Sequence, residues 1–187
     1  MHRRTLVATA ALLLASASPI AWAQTFPSAK PVRLVVPFAP GGTTDIVARI
    51  VAEKMGAALG QTVVVENKAG AGGAIGAMEV VKAAPDGYTL SVATVSTTAA
   101  NPAINPKIPY DPIADFTPVT MMTRAPGFAL LVGEKSPFKT LEQFVAAARK
   151  DPGRLTFGSS GVGNTTLVMG VLFGKGVGVD MLHIPFK

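Results

Sequence analysis

Strands and helices alternate along the first half of the chain, and this alternation constrains the fold more than any other feature. Residues 32–36 read as a strand, the apolar positions of 43–59 recur at helical spacing, and TVVVE at 62–66 reads as a second strand. A short helical stretch over 75–81 and a third strand over 88–94 follow. The pattern predicts a βαβαβ unit with parallel strands, and the unalternating valines of the second strand predict burial on both faces.

The next stretch marks a break in the chain. Residues 96–118 contain many Pro and Asn residues and predict an ordered surface loop without regular structure. Residues 119–123 and 128–132 are candidate strands, and Arg-Ala-Pro-Gly at 124–127 separates them. We interpret 124–127 as a hinge between two domains.

A second α/β unit follows this hinge. Thr140 and Gln143 form a capping box, which satisfies free backbone amides at the start of a helix. A strand over 154–158, a helix over 165–173 and a strand over 181–185 complete the pattern. The sequence therefore predicts an α/β protein with two domains.

The first 23 residues have the layout of an export signal. Two arginines precede a short apolar run, and Ala-Trp-Ala at 21–23 is a small-x-small cleavage site. The run is shorter than the ~18–20 apolar residues that a membrane-spanning helix needs. We expect cleavage after Ala23, a mature periplasmic chain from Gln24, a first domain over 24–123 and a second over 128–187.

Composition excludes several classes of function. The 187 residues include no Cys, which excludes disulfide scaffolds, thiolate zinc sites and Cys nucleophiles. His2 and His183 are the only histidines, so a multi-His metal site is excluded as well. Without the two signal arginines, 15 basic residues stand against 11 acidic ones, a net charge of +4 without a basic run. We expect no metal, no cofactor and no nucleic acid.

Glycine-rich loops recur between a strand and a helix start. They are PGGTTD at 40–45, GAGG at 70–73 and SSGVGNTT at 159–166. A helix start offers free amides and the positive end of the dipole, glycine allows close approach, and Ser and Thr add hydroxyl donors. The loops predict binding of a small anion such as a carboxylate, although each loop alone is also explained as a helix cap.

Enzyme motifs match less well. GAGGAIG at 70–76 has Ile75 where a dinucleotide fingerprint needs its third glycine, and GSSGV at 158–162 is not a nucleophile elbow. The alternative that remains is a secreted α/β hydrolase or transferase that uses Ser159 or Ser160 with His183. We interpret His183, which lies among apolar residues, as structural.

Several sequence blocks together resemble a known family. PVRLVVPFAPGGTTD at 31–45, VVENKAGAGGAIGA, AAPDGYTL, NPAINPKIPYDPIADFTPV and the closing HIPFK occur in the order typical of the Bug family. These proteins are the periplasmic solute receptors of tripartite tricarboxylate transporters. The resemblance covers essentially the whole mature chain.

The resemblance implies a fold, a function and a set of contacts. It implies a two-domain Venus-flytrap fold that binds a small carboxylated solute and delivers it to membrane permease subunits, as a monomer without catalytic residues. The implied substrate-binding residues lie in the first loop, after the third strand and in the last loop. They are Pro40, Gly41, Gly42, Thr43, Thr44, Asp45, Ser96, Thr97, Ser159, Ser160, Gly161, Asn164, Thr165 and Thr166.

The chain ends directly after the last predicted strand, whereas the family continues well beyond HIPFK. We therefore expect a receptor whose second domain is incomplete, and a fragment without function remains a further alternative. Backbone amides and hydroxyls indicate a carboxylate without specifying which one.

Overall fold

The computed structural model describes residues 26–124 and 127–186, called the first unit and the second unit below. The predicted signal peptide with its cleavage site, and residues 125–126 of the predicted hinge, lie outside the described residues. Within the two described ranges, every helix is too short or too polar to cross a bilayer.

The first unit is built on a three-stranded parallel sheet. Strand β1 (Val32–Val36) lies between β2 (Val63–Asn67) and β3 (Thr89–Ser91). Helix α1 (Thr43–Leu59) connects β1 to β2, and α2 (Ala74–Val81) connects β2 to β3. The βαβαβ prediction is confirmed, with a third strand shorter than expected.

The central strand is β1, and its side chains form the middle of the core. Leu34 and Val36 pack with the small residues Ala48 and Ala52 of α1. The prediction that β2 is buried on both faces is wrong, since Val64 is 41% exposed. In the described sheet β2 has a hydrogen-bonded neighbour only in β1, so the outer edge of this strand stays open.

Residues 96–104 are helical, which corrects the prediction of an irregular loop. Ser96–Ala100 forms a turn of π-helix, and α3 (Asn101–Ile104) continues it. Pro102 lies within this continuous helical stretch and has no backbone amide to donate to the preceding turn. Farther along, the side chain of Tyr110 is buried against α2, and its hydroxyl donates to the carbonyl of Thr97 at 2.6 Å.

The second unit contains a two-stranded parallel sheet. Strand β4 (Thr156–Ser159) pairs with β5 (Leu182–Pro185), with α4 (Leu141–Lys150) before β4 and α5 (Thr165–Val177) between the two. Helix α5 runs four residues beyond its predicted end, until Gly178 adopts a left-handed conformation with φ of 67°.

The predicted cap of α4 is confirmed at Thr140, while the return hydrogen bond of Gln143 reaches the amide one residue before the N-cap. The amide of Gln143 donates to the hydroxyl of Thr140 at 3.3 Å, and the Gln143 side chain accepts from the amide of Lys139 at 2.8 Å. The short sequence spacing alone determines this geometry.

The candidate strands 119–123 and 128–132 are wrong. Both segments have irregular backbone where the structure describes them, and their large apolar side chains are exposed, as with Met121 at 71% and Leu131 at 84%. A strand needs a neighbouring strand to satisfy its amides and carbonyls, and neither described sheet places one beside these segments.

Candidate functional site

Buried polar side chains concentrate at one edge of the two sheets. Each follows, or ends, a strand at its carboxyl end, where ligands bind in open parallel sheets. Burial of polar groups is costly unless hydrogen bonds replace water, so such a cluster is a built feature. In the described residues the set is Asp45, Ser96, Thr97, Asn101, Ser159 and Asn164.

The carboxylate of Asp45 fixes the loop between β1 and α1. Its Oδ2 accepts from the Gly41 amide at 2.9 Å and from Arg49 Nε at 3.0 Å, and its Oδ1 accepts from Asn67 Nδ2 at 2.9 Å. The hydrogen bond from Arg49, followed by those from Gly41 and Asn67, lowers the pKa of Asp45 from 3.8 to about 2. Asp45 therefore holds the loop in shape, and its donors already occupy both carboxylate oxygens.

The start of helix α1 is open. Its N-cap is Gly42, which supplies no side-chain hydrogen bond, and Pro40, Gly41, Gly42 and Thr43 are all exposed. A Cβ atom added at Gly41 would meet nothing within 4 Å, and one at Gly42 would meet only the carbonyl of Ala39, at 3.8 Å. The first amides of α1 thus lack a side-chain cap at a point where an anion has room to approach.

The start of helix α5 is closed by contrast. The Thr165 amide donates to the hydroxyl of Ser96 at 2.9 Å, and the Thr166 amide donates to Oδ1 of Asn164 at 3.0 Å. The hydroxyls of Ser96 and Thr165 also share a hydrogen bond at 2.7 Å. Two of the amides that the sequence assigned to an anion are therefore capped by the protein itself, one of them by the first unit.

Packing places the glycine-rich loop at 70–73 beside the segments that follow β1 and β3. A Cβ atom on Gly73 would lie 2.6 Å from Cγ2 of Thr97 and 3.5 Å from Phe38, which follows β1. The hydroxyl of Thr97 stays within its own turn, where it accepts from the Thr94 amide and donates to the Thr94 carbonyl, both at 3.0 Å. Thr97 therefore shapes the turn after β3.

Ser159 and His183, the pair on which the hydrolase alternative depends, are in contact. Ser159 Oγ lies 2.6 Å from His183 Nε2, and the imidazole packs on the ring of Phe157. The same hydroxyl accepts from the Gly161 amide at 3.2 Å and donates to its carbonyl at 3.3 Å, and Ser159 is 6% exposed. The backbone amide of exposed Ser160 donates to Thr166 Oγ1 at 3.1 Å. The contact can serve proton transfer, yet the hydroxyl is buried in its own loop.

Sequence reasoning missed two polar residues near the predicted set. Asn101 is 3% exposed and donates from Nδ2 to the carbonyl of Ala71 at 2.7 Å. Thr94 Oγ1 is buried and lacks a hydrogen-bond partner within the described chain. A strand end followed by Ser and Thr was the available signal for Thr94, whereas the burial of Asn101 depends on residues distant in sequence.

Two cavities lie in the described part of the chain, and only one of the two is near the buried polar side chains. One of about 370 Å³ is lined by Ala71, Asn101, Ile104, Asn105 and Val162, where the two units meet. The larger, of about 450 Å³, lies between the end of α1 and the start of β2, at the opposite edge of the first sheet. Because the buried polar groups are absent from its lining, we do not assign the larger cavity to the site.

Comparisons with known proteins identify relatives among transporter receptors and Bug proteins. Residues 47–187 match the model of the tripartite tricarboxylate transporter family receptor. Protein BugT of Bordetella pertussis is 36% identical over 191 residues, which cover all of this chain and 58% of BugT.

Solved structures give the same result. A structure described as that of a periplasmic transporter is 50% identical with a TM-score of 0.77, and the match covers 87% of this chain and 54% of that one. MatC from Rhodopseudomonas palustris with bound malate is 35% identical with a TM-score of 0.74, over 85% of this chain and 54% of MatC. The chain thus spans about half the length of the proteins it matches.

Proposed function

Since the chain belongs to the tripartite tricarboxylate transporter receptor family, we propose that it captures a small carboxylated solute for such a transporter. Its α/β fold is that of the periplasmic binding proteins, as the sequence predicted. The related protein MatC has malate bound, so we propose malate as the first ligand to test on this chain.

The open start of α1 is the observation that carries the proposal. Gly41 and Gly42 leave space beside the first amides, and the exposed Thr43 adds a hydroxyl donor. A hydrogen bond to a charged group contributes about 1.5–3 kcal/mol, and the helix dipole adds roughly 0.3–2 kcal/mol. A few such donors suffice for a carboxylate without an arginine in contact.

The second half of the proposed site comes from the loop before α5. In this proposal the hydroxyl of the exposed Ser160 contributes a donor from the second unit. The other proposed residues of this loop hold it in shape, because their donors are engaged within the protein; they are Ser159, Gly161, Asn164, Thr165 and Thr166. Ser96, in the first unit, also holds this loop in shape, because its hydroxyl caps α5 across the units. Asp45 acts by fixing the first loop, since its own charge would repel a bound carboxylate.

Export and delivery complete the proposed role. Its relatives are periplasmic transporter receptors. We propose that the first 23 residues direct this chain to the periplasm and are removed after Ala23, and that it then delivers its solute, as a monomer, to membrane permease subunits.

A receptor needs no turnover, and we propose that Ser159 and His183 have a structural role. Their contact joins β5 to the last residue of β4, and the Ser159 hydroxyl also bonds Gly161 in the loop that follows. The 2.6 Å separation is the specific observation that favours hydrolysis as the second candidate function. A fragment without function is the third alternative.

A thermal-shift titration of the processed chain tests the proposal. A ligand that binds the folded state raises the melting temperature as its concentration increases. We expect a rise with malate and no change with glucose, which has hydroxyls but no carboxylate. The absence of any shift with malate and other small di- and tricarboxylates would contradict the receptor function of this chain.

A further inference from the structure

The two units meet backbone to backbone at a pair of glycines. A Cβ atom on Gly72 of the first unit would lie 2.6 Å from the carbonyl oxygen of Val162 and 3.1 Å from the carbonyl carbon of Gly163. A Cβ atom on Gly163 would overlap the amide oxygen of Asn101 and lie 2.6 Å from its Cγ. Neither glycine can therefore carry a side chain while the units keep this contact.

Asn101 is the fixed side of this contact. It starts α3, is 3% exposed, and its Nδ2 donates to the carbonyl of Ala71 at 2.7 Å, so the first unit holds its amide in one orientation. The amide oxygen then lies against Gly163 of the other unit. The hydrogen bond from the Thr165 amide to Ser96 crosses between the same two units.

We propose that Asn101 is a positioning residue that sets how closely the loop before α5 approaches the first unit. Its packing against Gly163 determines the separation between the open start of α1 and the donors of the second unit. This inference rests on the proposed function, because the separation matters for a carboxylate held between them. Packed contacts of this kind are either made or lost, so a small obstruction shifts the whole arrangement.

The distance between the units can be measured directly. The chain has no Cys, so Glu53→Cys on α1 and Lys175→Cys on α5, both at exposed positions, accept a donor and an acceptor dye. We expect Gly163→Ala to lower the energy-transfer efficiency because the methyl group displaces the loop from Asn101. Gly178→Ala is the matched control, with a similar positive φ of 67° and nothing within 4 Å of the added Cβ.

A double variant separates obstruction from backbone strain. Asn101→Ala leaves only the Cβ atom, 3.2 Å from the position of the new methyl group. We expect Asn101→Ala to restore part of the transfer efficiency that Gly163→Ala removes, since residues in contact have non-additive effects. An efficiency in Gly163→Ala equal to that of Gly178→Ala, or no restoration in the double variant, would overturn the proposal.

If Gly163→Ala does not fold, the single variant Asn101→Ala tests the proposal instead. This variant adds no atoms and removes the packed amide, so we expect a wider distribution of single-molecule transfer efficiencies than in the dye-labelled parent. An unchanged width would overturn the proposal.

A malate titration connects the inference to the proposed function. We expect Gly163→Ala to lower malate affinity by roughly tenfold, within the usual range for coupling between sites, and Gly178→Ala to leave it unchanged. The dye measurements need no ligand. If the parent chain binds neither malate nor any other small di- or tricarboxylate, the proposed function fails, while the result on Asn101 and Gly163 still stands.

Discussion

Ser96 accepts a hydrogen bond at 2.9 Å from the backbone amide of Thr165, the first residue of helix α5, across the two units. A helix is normally capped by the residue before it, and Asn164 does so here for the amide of Thr166. The first unit therefore supplies one cap of a helix that belongs to the second unit, and the stability of that helix start is coupled to the contact.

We expect Ser96→Ala to destabilise the start of α5 by about 1 kcal/mol, as the loss of an N-cap does. Hydrogen exchange at the Thr165 amide should become roughly fivefold faster, which corresponds to that free energy. Thr98→Ala is the control, because the Thr98 hydroxyl donates to Thr94 within its own turn. Equal exchange at Thr165 in both variants would show that the Ser96 contact contributes nothing.

Asp45 predicts an acid-dependent loss of stability. Because its folded pKa is about 2 against an ordinary 3.8, its contribution is fully present above pH 3.8 and is lost as pH falls through the folded value. We expect Asp45→Asn to melt at a lower temperature than the parent at pH 5. The difference between the two should shrink as pH approaches 2.

The comparison with Asp45→Asn isolates this carboxylate from others in the same pH range. Hydrogen bonds from Arg33 also lower the pKa values of Glu66 and Glu79, and those side chains are unchanged in the variant. A melting-temperature difference that stays constant from pH 5 to pH 2 would contradict the assigned role of Asp45.

The hydrolase alternative predicts that Ser159 supports turnover, whereas a structural role predicts only a loss of stability. We expect the parent and Ser159→Ala to hydrolyse p-nitrophenyl acetate at the same background rate. The variant should melt at a lower temperature, because His183 loses the hydrogen bond that joins β5 to the end of β4. A parent rate well above background that disappears in Ser159→Ala would favour the enzyme.

Local sequence signals predicted elements in both units. Strand β1, helix α1 and the cap at Thr140 depend on residues close together in the chain, and each is where the sequence placed it. Glycine spacing likewise located the loops at the carboxyl edge. In these cases the physical cause, namely periodicity or capping, lies within one element.

Contacts between distant segments were not predictable in the same way. Ser96 and Thr165 are 69 residues apart, and the burial of Asn101 depends on Gly163 in the other unit. The open start of α1 and the closed start of α5 have similar glycine-rich sequences, and only packing distinguishes them. Segment 128–132 has the composition of a strand but no neighbouring strand in the described chain.

Protection against hydrogen exchange should differ between the units. The core of the first unit includes four residues at 0% exposure, namely Val32, Val35, Val36 and Ala48. In the second unit, apolar side chains such as Leu172 and Phe186 are 54% and 62% exposed. Because buried apolar surface is the main source of stability, we expect stronger protection in β1 and α1 than in β4 and β5. Equal protection throughout would contradict this.

The central claim is that a carboxylate binds at the open start of α1, and calorimetry with malate tests it most directly. We predict that the processed chain binds malate, that Gly42→Val abolishes measurable binding by blocking the first amides, and that Thr43→Ala weakens it roughly tenfold, by about 1–2 kcal/mol. Gly176→Ala, whose added Cβ meets nothing within 4 Å, should bind as the parent does. Malate affinity that is unchanged in both Gly42→Val and Thr43→Ala would contradict the claim.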